Sequence, residues 1–228
     1  MKIRDFVSST DIVLNDYRTY PSFVRKMKTT NSLNEYELNN FLVNNNFSIV
    51  GLHTTRLTEN EIEQIKNARM NCGDKDCLVN KVKNLPNSID NSIKNELLEF
   101  LKTKTPKADN CICCGYGYLD LIKDVRKTRI FAQYWGGETI YDYYTDDTKK
   151  NQLRLRYIEK KLNEISYPCV VLLRIPYYLF SNSITYHSLY SLLLNNCYKN
   201  ITGSLNVYTK HLEVIDIIKL DSEYLVLE

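Results

Sequence analysis

One run limits this chain's fold more than any other: Cys169-Val170-Val171-Leu172-Leu173-Arg174-Ile175. It is apolar almost throughout, and Pro176 stops it. A strand apolar on both faces belongs inside a sheet that is covered on both sides, because a one-sided strand alternates apolar and polar residues. The fold has to be assembled around that strand. Much of the C-terminal third is strand-like too. Residues 205–208 and 214–220 read as strands and 224–227 as an edge strand, with a short helix over 184–194.

The N-terminal half has a different rhythm. Residues 1–48 read as mainly helical, with Tyr36, Leu38, Phe41 and Leu42 recurring at helical spacing. Phe47-Ser48-Ile49-Val50-Gly51-Leu52-His53 is short and β-rich, so a strand is expected there. A turn over Thr54-Thr55-Arg56-Leu57 follows, then a helix to about Met70. Thr58 with Glu61 three residues on forms a capping box ahead of Ile62 and Ile65. Residues 71–110 are polar and broken, with a helix over 89–101 that Thr105-Pro106 ends. They read as an insertion, because they cannot bury enough apolar surface alone. Residues 118–125 read as a short helix, 128–134 as a strand, Gly136-Gly137 as a turn, and 138–145 and 148–165 as helices. Helices early and strands late, without regular alternation, predict an α+β fold. Its parts are a helical N-terminal extension over 1–46 and an α+β domain over 47–228.

Composition sets the outer limits. The chain has 228 residues, 43% hydrophobic and 25% charged, enough for one packed core and too apolar for wholesale disorder. A formal charge of +3 is a small excess for a dedicated nucleic-acid binder. Lys123, Lys127 and Arg129, then Lys149, Lys150, Arg154, Arg156, Lys160 and Lys161, make basic stretches. Interspersed Asp and Glu make a solvated helix surface their plainer account. No apolar run reaches the length of a signal peptide core or a membrane span. Seven unevenly spread cysteines predict thiols in a cytoplasmic protein. Cys72-x4-Cys77 and Cys111-x-Cys113, with Cys114, miss the spacing of zinc ligands, so no metal is expected. Without a G-x-S-x-G, and with only His53, His187 and His211 as bases, a Ser or Cys nucleophile has little to work with.

Three segments carry candidate chemistry. Leu52-His53-Thr54-Thr55-Arg56 mounts an imidazole at a strand end ahead of hydroxyl residues and a helix. A histidine satisfied in the core gives the same string. Tyr134-Trp135-Gly136-Gly137-Glu138-Thr139-Ile140-Tyr141 holds the one tryptophan beside a glycine pair, in a chain with seven glycines. Glycine lets backbone approach a flat ligand, and Trp and Tyr stack on rings; a tight turn anchored by a buried Trp fits equally. His211-Leu212-Glu213 places a carboxylate at the start of a strand.

In this order, the three segments resemble the His–Tyr–Glu class of ADP-ribosyltransferases, which includes the diphtheria-type toxins and the poly-ADP-ribose polymerases. The likeness covers roughly residues 47–70, 128–145 and 205–220. It departs at Thr54, where the class usually has Gly, and in a longer gap between His53 and Tyr141. The resemblance implies split antiparallel β-sheets with flanking helices, and NAD as substrate. It also implies roles for residues. His53 and Thr54 hold the adenosine ribose and the nicotinamide amide, Tyr141 stacks on nicotinamide and Glu213 is the catalytic carboxylate. Tyr134, Trp135, Gly136 and Gly137 complete the ring pocket, and Arg56 suits the pyrophosphate. The reaction is cleavage of the nicotinamide–ribose bond through an oxocarbenium-like transition state. ADP-ribose then passes to a protein or nucleic-acid acceptor, as in a toxin or defence effector. The alternative is a non-enzymatic RNA- or protein-binding module, with His53 and Trp135 as core residues and the basic 149–161 stretch as its interface. The enzyme reading expects all three segments to meet in one cleft.

Overall fold

In this computed structural model, which describes residues 7–14, 17–29, 34–71, 75–103, 111–116, 134–136, 140, 143, 152–183 and 203–220, the apolar run lies in the middle of a sheet. The strands are β1 (Asp11–Ile12), β2 (Ser48–Thr58), β3 (Arg69–Asn71), β4 (Cys111–Tyr116), β5 (Ser166–Pro176), β6 (Gly203–Tyr208) and β7 (His211–Lys219). Their order is β3-β7-β5-β2-β4-β6, with β1 added in parallel along β2 and every other pairing antiparallel. The helices are α1 (Ser22–Thr29), α2 (Glu35–Asn44), α3 (Glu59–Asn67), α4 (Lys75–Lys83), α5 (Asn91–Thr103), α6 (Gln152–Glu164) and α7 (Tyr177–Ser183). The class is α+β, as the order of elements predicts. No helix among the described residues is long and apolar enough to cross a membrane.

The expected turn at residues 54–57 is absent. β2 runs straight through it, in register with β5 from Ser48 opposite Pro176 to Thr58 opposite Ser166. Local propensity is undecided there, since Thr54 and Thr55 favour a pleat as readily as a turn. The long apolar partner strand and burial of Leu57 decide for the strand. The capping box then starts α3 directly. The Thr58 hydroxyl accepts from the Glu61 amide and the Glu61 carboxylate accepts from the Thr58 amide. The helix ends at Asn67, so Met70 falls in β3. α4 and β4 went unseen in the polar 71–116 stretch, where periodicity is weak. The helices expected at 118–125 and 184–194 and the strand at 224–227 lie outside the described residues, as does the strand at 128–134 except for Tyr134.

Alternation along β2 and β5 defines two faces. Ile49, Leu57, Val171, Leu173 and Ile175 point to a first face, where they pack with Ile112, Val207, Leu38, Leu42, Val24, Ile62 and Phe180. Each such fully buried side chain contributes about 1.5–3 kcal/mol. Ile12, Leu14 and Tyr20 belong to this same core. Val13, Val50, Leu52, Val170, Leu172 and Ile218 form a smaller cluster on the second face. A third cluster joins α4, α5 and α6 with Trp135, Ile140 and Tyr143. The 71–110 insertion therefore gets its core from α6 and the tryptophan segment.

The sheet is unevenly stitched. β2 and β5 are paired over their full length and β4 and β6 from Cys111 opposite Tyr208 to Tyr116 opposite Gly203. Among the described residues β2 and β4 share a single pair, Leu52 opposite Gly115. The β2–β4 seam is thus the most sparsely paired in the sheet among those residues.

Candidate functional site

His53 sits beside the seam between β2 and β4. Of the residues of β2 it alone is not buried. It directly follows the Leu52–Gly115 pair. Alternation places it on the first face, opposite Val171, between Gly51 and Thr55. Gly51 packs closely there: a Cβ at that position would come within 2.5 Å of Ile175 Cδ1 and 3.3 Å of Cys114 Cβ. A glycine before the histidine and a buried threonine after it leave the imidazole as the one large polar group on that stretch of the face.

The other candidates on β2 point away from it. Thr54 and Arg56 lie on the second face. The Thr54 hydroxyl is buried with no hydrogen-bond partner among the described residues. Arg56 is buried, and its guanidinium binds the C-terminal end of α6. Nε donates to Ser166 Oγ at 3.1 Å, and Nη2 donates to the carbonyls of Ser166 at 2.7 Å and Asn163 at 3.1 Å. Cationic donors at a helix C-terminus satisfy carbonyls that have no intrahelical partner. Burial pulls the Arg56 guanidinium below its ordinary range, against the opposing charges of Cys169 and Glu159. The pyrophosphate contact expected of Arg56 is thus replaced by an internal one.

Glu213 is also on the second face. It stands opposite Arg174 on β5 and Arg69 on β3, and Arg174 Nη1 donates to its carboxylate. Measured through β5, it lies three residues and two strands from His53, about 14 Å at ordinary strand spacings. The intervening sheet separates the two side chains.

The tryptophan segment sits elsewhere again. Trp135 is 1% exposed, packed in the α4–α5–α6 core, and its Nε1 donates to Glu61 Oε2 at 3.0 Å. Its indole anchors a turn and presents no face to a ligand. Tyr134 and Gly136 are half-buried beside it. Gly136 has φ +84°, and a Cβ there would lie 2.3 Å from Ile140 Cγ1. Left-handed backbone costs a non-glycine residue about 1–2 kcal/mol, and overpacking adds about 1–3 kcal/mol. Gly136→Ala is therefore expected to lower the urea midpoint clearly, read through the fluorescence of the single Trp. An unchanged midpoint would show that the turn can relax. Tyr141 and Gly137 lie outside the described residues, as do His187, Glu223 and Glu228.

Of the described candidates, then, His53 is the one on the first face of the sheet. No protein-family model, characterised protein or solved structure matches this chain. Among the described residues no group of three or more His, Cys, Asp or Glu side chains is placed to hold a metal ion. Cys169 is a free thiol, and burial pushes it up to about 11.

Two polar centres escaped the sequence reading. Asp11 is fully buried and accepts two bonds from Arg174, Nε to Oδ1 at 2.7 Å and Nη2 to Oδ2 at 2.8 Å. The Ser8 amide and hydroxyl also donate to it, each at 2.9 Å. Burial raises the Asp11 carboxyl, but the Arg174 and Ser8 hydrogen bonds outweigh that and hold it below its ordinary value. Glu61 ties α3 to both Trp135 and Lys81, whose Nζ is 3.0 Å from Oε1. The capping box marked Glu61 in the sequence; its distant partners left no local signal.

Proposed function

We propose that this chain is an NAD-dependent ADP-ribosyltransferase whose ligand site opens at His53. The observation that supports the reading is His53, the one residue of the central strand β2 that is not buried, beside the β2–β4 seam. On this reading that seam is the split between two antiparallel sheets. The nicotinamide end of NAD enters it, with the His53 imidazole holding a ribose hydroxyl. Tyr141 supplies the stacking ring. Glu213, bonded to Arg174 across the sheet, is not the carboxylate of this reading; Glu223 and Glu228 are the other late candidates. The nicotinamide–ribose bond breaks, nicotinamide leaves with the bonding electrons, and ADP-ribose passes to a protein, a nucleic acid or water. A toxin or defence effector acting in the cytoplasm is the setting the resemblance implies.

The test is incubation with NAD labelled on the adenine, followed by asking where the label goes. Transfer to a macromolecule or release of labelled ADP-ribose is expected. Losing one preorganised polar group at such a site costs about 10²–10³ in rate. His53→Ala should therefore lose turnover on that scale while keeping its circular dichroism. Glu213→Gln should keep turnover within about twofold of wild type, as an exposed pair contributes little. If no label moves and calorimetry with NAD shows no heat, the chain is a binding module and the enzyme reading is wrong.

A further inference from the structure

We draw no further inference here: the strongest candidate, the row of charged side chains that Asp11, Arg174, Glu213, Arg69 and His211 form across β1, β5, β7 and β3, carries nothing, because these groups bond one another and nothing in the structure points to a ligand there.

Discussion

Glu61→Ala is expected to lower the unfolding free energy by about 3–5 kcal/mol, the usual cost of removing one partner from a buried ion pair. Lys81 would be left with its ammonium mostly out of water and unanswered. Three further groups lose their acceptor: the Thr58 amide at 2.8 Å, the Thr58 hydroxyl at 3.0 Å and the Trp135 indole at 3.0 Å. The carboxylate thus joins the start of α3 to the α4–α5–α6 core, and its loss should loosen both. Burial pushes Glu61 up, but the Lys81 charge and the donors from Thr58 and Trp135 overcome it, so the folded group titrates below its ordinary value. The sign follows. Its contribution is complete above the unfolded value of about 4.3 and is lost as pH falls through the lower folded value. Urea unfolding should therefore show a wide gap between wild type and Glu61→Ala at pH 7 that narrows towards pH 3. A gap under about 1 kcal/mol at pH 7 is too small for a buried pair and would mean that Lys81 reaches water.

Arg174→Met should cost a comparable amount, about 3–5 kcal/mol, for the same physical reason. Asp11 is 0% exposed and would keep its carboxyl without the two charge-assisted bonds that offset desolvation. The effect should reach β1, since Asp11 is half of that two-residue strand. Adding Asp11→Asn to Arg174→Met should recover part of the loss, because no buried charge then remains unpaired. A double-mutant cycle in urea reads the coupling directly. If the two losses simply add, Asp11 and Arg174 do not act as a pair. Glu213→Gln serves as the contrast. Glu213 is 56% exposed, so its loss should cost no more than about 1 kcal/mol.

What was legible in the sequence was local. The 169–175 run announced an interior strand because its own side chains are apolar on both faces. Thr58 and Glu61 announced a helix start because a capping box is complete within four residues. The late strands showed through alternation, and the α+β class followed from their order. α4 and β4 gave no such signal, because their polar sequence acquires its pattern from α6, Trp135 and β6, all distant in the chain. The turn expected at 54–57 was misplaced for a related reason: residues that tolerate either conformation follow the partner strand.

The amino-acid sequence by itself determined the interior strand at 169–175, the start of α3 and the α+β order of elements, since those signals lie within a few residues of one another. Only the tertiary structure decided which face each side chain takes. The pairing of β2, β5 and β7 places His53 on one side and Arg56 and Glu213 on the other. With a side-chain period of two, a shift of one residue in that pairing would exchange the faces. Register is a long-range property, so a candidate site drawn from separate strands is settled only when the strands meet.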